Sequence, residues 1–538
     1  MAFLVSPGVQ VNEIDLTNVV PAVATSIGAI AGAFQKGPVS SIVNITSEEE
    51  LVKIFGKPKS TSNQFETFFT AANFLKYSDS LKVVRAESAI LNAGSNSGIL
   101  IRDDDHYQAS FDAGQGSHGE FAARTAGTWG NSIGVSICPS ASAYEQELGG
   151  SYLTVGEDAV GATSIQVDDV DASGNAFNVG DLISFFSDSG HDTPVDEFNE
   201  YEVTAIDTSA NTLTIRLKDD PNGAGLQNIV PDNSYIKRRW QFYDLFDGAP
   251  GTTAWATANG RGTGDELHIV VYDATGDITG FDNDVAGQRT SSVIETFGNM
   301  SKNPNAKTAQ GGSNYYPDVI FAQSQFIYWT DHISAGSNWG TDTTSAYTDV
   351  VPIDDGVLTG GTDDYALTAG EYELAYDKFN DTESIDINLV MGGRGGGAGD
   401  TASSMDTHGT MITSLVESRK DCIGFVSPYR AATVGVSLSS TATENVKVAF
   451  DGLPSSSYMV FDSGYKYMFD KYNDVFRFVP LNGDTAGLCA FTDSVRDAWF
   501  SPAGFNRGRV RGAVKLSYNP TSAERDILYR ARVNPVVN

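Results

Sequence analysis

The spacing of apolar residues divides the chain into segments with different predicted secondary structure. In residues 1–20 apolar side chains recur at a loose two-residue spacing, which predicts an extended arm. Nothing nearby in the sequence would cover these side chains. We therefore expect the arm either to pair with something outside its own domain or to form an edge strand of that domain. Its candidate contact residues are Pro7, Gly8, Val9, Val11, Ile14 and Leu16.

A compact α/β unit follows the arm. Ser47 and Glu50 have the spacing of a capping box, in which each side chain satisfies a backbone donor of the other residue. The first helix has an apolar face, and Gly56 and Pro58 are expected to end it. A second helix is predicted from about Asn63, and the strand 81–86 comes next. One face of this second helix carries Phe65, Phe68, Phe69, Ala72 and Leu75.

Residues 147–238 have the pattern of an inserted all-β domain. Short β-like runs alternate with Gly, Asp and Asn turns at the spacing of a sandwich or small barrel. The predicted strands are 152–155, 164–167, 181–186, 201–206 and 212–217.

The second half of the chain is predicted to return to α/β character. A strand predicted at 266–272 marks the return. Residues 334–370 are rich in Gly, Ser, Thr and Asp, which predicts a long surface loop. A strand at 385–391, a glycine run, a helix at 403–418 and a strand at 422–426 make a βαβ pattern.

Composition and charge exclude several classes of protein. The 538 residues correspond to about three or four domains. A net charge of −33 argues against a nucleic-acid binder or a protein that docks on anionic membranes. The uncharged stretch 19–34 is shorter than a membrane span and contains Pro21, so we interpret it as one or two buried strands. Cys138, Cys422 and Cys489 are too far apart for a metal or redox motif and fit a reducing compartment.

The charge is distributed unevenly. From Lys471 onward ten bases face six acids, a net charge of +4 against −37 for the rest of the chain. This asymmetry indicates two surfaces with different partners.

The sequence contains few candidates for catalysis or cofactor binding. The glycine run 392–399 fits G-x-G-x-x-A between a strand and a helix, but no acid follows the next strand, so a flexible loop is favoured over a dinucleotide site. The acidic run Asp103–Asp105 before His106 reads as a solvated turn, with Ca²⁺ as the weaker alternative. Glu266 and His268 would share one strand face, which favours a structural hydrogen bond over catalysis. We predict no catalytic, cofactor or metal residues.

Landmarks along nearly the whole chain resemble the contractile tail sheath proteins of myovirus-type bacteriophages, and in particular the large sheaths of the T-even-like phages. Single motifs are weak, but their number and order make the resemblance specific. They are 6–9 with 13–15, 32–34 with 36–39, 55–58, 128–132, 238–242, 249–252, 501–508 and 528–535.

The resemblance implies a structural subunit without enzymatic activity or cofactor. Family members form stacked hexameric rings around a tail tube and contract to drive the tube through the host envelope. The implied partners are other copies of the chain, the tail tube, baseplate and tail terminator proteins, with no nucleic acid and no membrane insertion. The implied location is the virion, after synthesis in the host cytoplasm. The family's arms exchange strands between subunits, which matches the arm predicted above.

The predicted fold is therefore mixed α/β and multidomain. It comprises an arm (1–20), a first part of the α/β sheath core (21–100), an outer region that contains the β domain (101–240), an α/β domain with the βαβ unit (241–470), and an inner basic domain (471–538). The family continues past 533–535 into a further α/β segment, so 471–538 would be the start of that inner domain. We expect Arg507, Arg509, Arg511 and Lys515 to face the tube.

Two alternatives remain at this point. One is the sheath of a tailocin or of a type VI-like secretion machine, which neighbouring genes would distinguish from a phage. The other is an enzyme with β modules that binds carbohydrates or nucleotides, which a ligand-binding screen would reveal.

Overall fold

The computed structural model describes residues 26–114, 116–170, 177–196, 199–218, 220, 222–280, 292–334, 336–347, 353–504 and 507–537. The predicted arm lies outside the described residues, and so do all six of its candidate contact residues, Pro7, Gly8, Val9, Val11, Ile14 and Leu16.

The helices in the described part of the chain range from one turn to five. They are α1 (Glu48–Phe55), α2 (Gln64–Phe74), α3 (Asp104–Ser110), α4 (Ala141–Tyr144), α5 (Ala254–Ala258), α6 (Tyr316–Gln323), α7 (Ala369–Tyr376), α8 (Ala402–Arg419), α9 (Ser439–Asp451), α10 (Asn482–Val495) and α11 (Ser522–Arg530). None of them combines the length and hydropathy that a membrane crossing requires.

The strands are short. They are β1 (Gly28–Gly32), β2 (Ile42–Ile45), β3 (Leu81–Arg85), β4 (Phe121–Ala123), β5 (Ile133–Cys138), β6 (Glu145–Leu148), β7 (Ser164–Gln166), β8 (Leu182–Phe186), β9 (Tyr201–Asp207), β10 (Thr212–Leu217), β11 (Tyr235–Arg239), β12 (Glu266–Asp273), β13 (Val293–Ser301), β14 (Ile327–Trp329), β15 (Ile353–Val357), β16 (Leu389–Met391), β17 (Ile423–Val426), β18 (Met459–Asp462), β19 (Tyr465–Asp470), β20 (Val475–Pro480), β21 (Lys515–Leu516) and β22 (Val533–Asn534).

A seven-stranded sheet joins the two ends of the described chain. Its order is β2-β3-β1-β16-β17-β18-β22, and every pair is parallel except the antiparallel pair of β2 and β3. Strand β1 pairs with β16 from Gly28 beside Leu389 to Ile30 beside Met391. The predicted βαβ unit is confirmed, because β16 and β17 are parallel neighbours connected through α8. The mixed α/β fold class is also confirmed.

Helices cover both faces of this sheet, as parallel sheets require. One face packs on a core that includes residues of α7, α8, α9 and α11, and the other packs on a core that includes residues of α1, α2 and α10. Both faces of the buried strands are thus removed from water, which explains the continuous apolar runs of β1 and β16.

The predicted apolar face of α2 packs in the core, but α2 is also buried on its other sides. It packs against β1, α10 and β20, and each of its eleven residues is buried. Its polar residues therefore lie inside the molecule: Gln64, Glu66, Thr67, Thr70 and Asn73. The Thr70 hydroxyl donates to the Glu66 carbonyl at 2.7 Å. The polar residues occupy the side that local periodicity assigns to solvent. Later segments of the chain cover this side, and the local pattern cannot reveal them.

The capping box of α1 is only half correct. The Ser47 hydroxyl accepts from the Glu50 N–H at 3.2 Å, as predicted. The Glu50 carboxylate accepts from the backbone N–H of Thr46 at 2.8 Å, one residue earlier than expected. Gly56 ends the helix with φ of 81°, in agreement with its predicted role.

The all-β character of the insertion is confirmed. Its sheet has the order β6-β11-β8-β9-β10-β7 with antiparallel pairs throughout and encloses its own apolar core. The strand predicted at 152–155 is wrong, since only Thr154 makes a bridge there. Glu145 and Arg239 pair directly across β6 and β11, so the insertion begins and ends at adjacent positions.

The strand predicted at 266–272 is confirmed as β12, which lies in the antiparallel sheet β13-β12-β5-β15. One expectation for this part of the chain is wrong. The predicted surface loop 334–370 contains β15, which pairs with β5, and buries Trp339, Tyr347 and Leu358.

Candidate interaction surface

The carboxyl ends of parallel strands are the usual place for a ligand in such a sheet. The loop after β16 carries the glycine run, and it is packed against protein groups. His408 Nε2 donates to the Gly392 carbonyl at 2.7 Å, and Asn482 Nδ2 donates to the Gly393 carbonyl at 2.8 Å. Burial lowers the pKa of His408 to about 4, so its imidazole is neutral.

The glycine run is therefore not the flexible loop that the sequence suggests. Gly392, Gly393, Gly395, Gly396 and Gly397 are all buried. A Cβ on Gly395 would overlap the Pro428 carbonyl and approach the Tyr465 hydroxyl to 2.5 Å. The glycines let protein backbone and side chains approach closely, and no room remains there for a pyrophosphate.

A second buried polar cluster lies beside this loop. Glu66 on α2 accepts from Arg430 Nη1 at 3.1 Å and lies 3.7 Å from Arg394 Nε. Burial raises the pKa of Glu66 to about 7, although the two guanidinium groups favour its charged form. This cluster connects the N-terminal part of the chain with the loops that follow β16 and β17.

A third cluster fixes the start of α10. Lys466 and Asp484 form a fully buried ion pair at 2.8 Å, and the Lys466 ammonium also donates to the Arg511 carbonyl at 2.8 Å. Asp462 accepts from the Ser427 hydroxyl at 2.7 Å, and burial raises its pKa to about 8. All three clusters are satisfied mainly from within the chain, which is the pattern of a structural core.

The acidic run is also structural, but it is not a turn. Asp103 is the N-cap of α3 and accepts from the His106 N–H at 2.9 Å. Asp104 accepts from Arg124 at 2.9 Å and from the Tyr328 hydroxyl at 2.5 Å. Across the described residues, no three His, Cys, Asp or Glu side chains are grouped so that they could hold a metal ion.

His268 has a structural role, as the sequence favoured. Its Nε2 bonds the Gly248 carbonyl at 2.9 Å, its Nδ1 accepts from the Asn299 N–H at 3.0 Å, and its ring stacks on Phe246 with centroids 4.3 Å apart. Glu266 accepts from the Gly251 N–H at 2.8 Å. Both side chains thus hold nearby loops in place.

The four predicted basic residues lie in different settings. Arg507 donates to the Ser501 carbonyl at 3.0 Å and covers the Phe500 ring, while Arg509 is exposed. The Arg511 guanidinium bonds the Lys76 carbonyl and covers the Tyr77 ring at 4.5 Å. Arg511 therefore helps to attach its segment to the end of α2.

Lys515 lies beside an exposed aromatic face that the sequence analysis missed. Strands β20, β19 and β21 form a small sheet, and Tyr467, Phe469, Phe476 and Phe478 point to one side of it. Ring centroids are 4.7 Å apart for Tyr467 and Phe478 and 5.1 Å apart for Phe469 and Phe476. The Lys515 ammonium is 4.9 Å from the Tyr467 ring. We call these four rings and Lys515 the aromatic face.

The aromatic face is open to solvent. Phe469 is 44% exposed and Phe476 is 50% exposed. The alternation of aromatic residues at 465–469 and 476–478 was a visible signal for a strand with one aromatic side. It could not show that this side is left uncovered.

Comparison with known proteins identifies the family. Residues 25–86 match the family described as "Tail sheath protein Gp18 domain III N-terminal region". The tail sheath protein of Enterobacteria phage T4 is 29% identical, over 99% of this chain and 79% of its own length. A crystal structure of a sheath tail protein from Listeria innocua superposes with a TM-score of 0.40 and 10% identity, over 96% of this chain and 68% of that protein. The tail sheath protein of Vibrio phage KVP40 is 31% identical over 99% of this chain and 80% of its own length, and the chain thus belongs to the tail sheath protein family of bacteriophages.

Proposed function

We propose that this structural sheath subunit polymerises as stacked hexameric rings around a tail tube in the virion. Contraction of this polymer then drives the tube through the host envelope for genome delivery. Its other partners are the baseplate and tail terminator proteins, and it is made in the host cytoplasm. Membership of the tail sheath family supports this proposal.

The observation that carries the proposal is the aromatic face. Monomeric proteins rarely expose contiguous apolar patches, and aromatic residues are enriched at the centres of interfaces. Two phenylalanines of this face are at least 44% exposed in the isolated chain. We infer that another subunit of the polymer covers them.

Electron microscopy of the purified chain at high concentration tests polymerisation. We expect rings or tubes, and only dispersed particles at every concentration would contradict the proposal. The double variant Phe469→Ser/Phe476→Ser should stay folded, because both side chains are about half-exposed. We expect it to raise the concentration needed for tubes by about tenfold or more. Leu374→Ser is the matched control, since Leu374 is 66% exposed and lies on α7, away from this sheet.

We further propose that the basic residues Arg507, Arg509, Arg511 and Lys515 face the tail tube. Complementary charge would hold the sheath in register with the tail tube and still permit the sheath to release the tube. Because the Arg511 guanidinium contacts the Tyr77 ring and the Lys76 carbonyl, reversing the charge at Arg511 would also disturb the fold.

Reversal of Arg507 and Arg509 to Glu is the cleaner test of that contact. We expect weaker binding to tail tubes and a smaller dependence of binding on salt, measured by co-sedimentation. Unchanged binding with an unchanged salt dependence would refute a tube-facing role.

The arm, with Pro7, Gly8, Val9, Val11, Ile14 and Leu16, is proposed to add a strand to a neighbouring subunit. Main-chain hydrogen bonds of an added strand can persist while subunits rotate.

A further inference from the structure

The all-β insertion, residues 145–239, does not share an apolar core with the rest of the chain, which we call the body. The core of the insertion and the core beneath its attachment point, around Trp240 and Phe242, have no member in common among the described residues. Two parts that lack a large apolar interface are expected to move relative to each other. The polar contacts at the base of the insertion therefore decide its position.

One edge of the insertion is attached through a buried connection. Strands β6 and β11, which enter and leave the insertion, pair with each other, and β6 is the edge strand of the six-stranded sheet. The guanidinium of Arg238 on β11 is fully buried and donates to the Ser142 carbonyl on α4 at 2.8 Å. This two-stranded ribbon is a firm connection, but it holds the insertion at one edge only.

A group of charged side chains connects strands β9 and β10 of the insertion to the body. Glu200, just before β9, accepts from Lys218 Nζ at 2.9 Å and from Arg239 Nη1 at 2.6 Å. On the body, the Tyr243 hydroxyl donates to Glu200 at 3.0 Å, and Asp244 lies 3.8 Å from the Lys218 ammonium. We call these five residues the charged strut.

Tyr243 is the point at which the charged strut meets the body. Its carbonyl accepts from the Tyr144 hydroxyl on α4 at 2.7 Å, which holds this residue in place. Both cations of the strut also lie against its ring: Lys218 Nζ is 4.9 Å and Arg239 Cζ is 5.0 Å from the ring centroid. The insertion is thus held to this side of the body by ion pairs, hydrogen bonds and cation–π contacts.

The central carboxylate of the charged strut is charged at neutral pH. Burial raises the pKa of Glu200, but its bonds to Lys218 and Arg239 outweigh this effect and hold the pKa below its ordinary value. The Glu200 side chain is 13% exposed and that of Lys218 is 19% exposed, so solvent still reaches both. Such pairs are stronger than fully exposed ones, and dissolved salt can still weaken them.

We propose that the charged strut is a conformational device that fixes the angle of the insertion on the body. When the strut is weakened, the insertion tilts about the ribbon of β6 and β11 while its own core stays intact. The firm connection is buried and the strut is partly open to solvent, so the strut opens first. The proposal does not depend on polymerisation and can be tested on dispersed subunits.

The distance between two spin labels measures the tilt of the insertion. One label is attached at Thr208→Cys in the insertion and the other at Ala309→Cys in the body, both at exposed positions. Cys489→Ala removes the native cysteine that is not fully buried. We expect a single narrow distance distribution at low ionic strength and one about twice as wide in about 1 M sodium chloride. A distribution that is equally wide at low and high salt would overturn the proposal.

Glu200→Gln removes the central charge of the strut and keeps its shape. We expect it to widen the distribution about twofold at low salt, with little further change in high salt. Tyr243→Phe, which removes only the hydroxyl on the body, should widen it as well.

Glu202→Gln is the matched control. Glu202 is 15% exposed and pairs with Arg216 at 2.9 Å within the insertion, so this variant should keep the wild-type width. A distribution that stays narrow in both Glu200→Gln and Tyr243→Phe would overturn the proposal. Equal widening by Glu202→Gln would also overturn it, because the effect would then arise within the fold of the insertion.

Discussion

Single buried charges are where the sequence is least informative about this molecule. Asp462 and Glu66 read as ordinary acids in a chain that is rich in acids, yet both are buried. The local pattern around Glu66 even places it on the polar side of a helix. Its burial is a consequence of α10 and β20, which follow it by some four hundred residues.

Asp462 gives a prediction about pH. Its pKa is about 8 in the folded chain and near 4 when unfolded, so the folded state binds more protons between these values. The stability associated with the protonated carboxyl is therefore complete below about pH 4 and is lost as the pH rises to about 8. Asp462 contributes at most about 1.4 kcal/mol per pH unit to this fall in the free energy of unfolding.

Asp462→Asn should remove that contribution. Chemical denaturation at a series of pH values should show a flatter fall in the free energy of unfolding for the variant than for the wild type. Asp105→Asn, at an exposed position, is the control and should keep the wild-type slope. A variant slope equal to that of the wild type would contradict the assignment.

At the scale of elements, periodicity predicted the βαβ unit correctly. The unit is local, because β16 and β17 pair with each other and only α8 and its loops lie between them in the sequence. The same reasoning misjudged the glycine run between them. Glycine permits both flexibility and tight packing, and only the positions of His408, Pro428 and Tyr465 show which one applies. The aromatic face was missed for a related reason: alternation predicts a strand but does not show which side of it is covered.

Gly395→Ala tests the packed loop. The added methyl group would overlap the Pro428 carbonyl, so we expect the free energy of unfolding to fall by about 1–3 kcal/mol. The matched control is Gly370→Ala on α7, where a Cβ meets nothing within 4 Å. That change should raise stability by about 0.5 kcal/mol, because alanine is the better helix former. A neutral Gly395→Ala would mean that the loop is loosely packed.

At the scale of the whole molecule, the sequence indicated an α/β fold with a β insertion, and the seven-stranded sheet and the six-stranded sheet agree with it. The partnership of β1 with β16 was beyond local reasoning. No periodicity can show that two strands so far apart in the sequence are neighbours.

The insertion offers a test at this scale. Because Glu145 and Arg239 are paired neighbours, a short Gly-Ser linker can replace residues 146–238. The insertion has its own core, so we expect the remaining chain to unfold cooperatively with a melting temperature within about 5 °C of the full chain. Loss of cooperative unfolding in calorimetry would show that the two parts depend on each other.

The pairing of β1 with β16 also has a consequence for synthesis on the ribosome. Ile27 and Asn388, which bond at the start of this pair, are 361 residues apart in the chain. A nascent chain emerges from its N-terminus, so β1 and β3 leave the ribosome long before their central partner exists. During that interval the apolar edge of β1 is an unpaired strand, and such edges promote aggregation. The segments between β3 and β16 can complete their local folding first. The last event is the closure of a very long loop between these strands, which makes folding slow. Strand β1 can therefore gain its partner β16 only after translation has passed Met391.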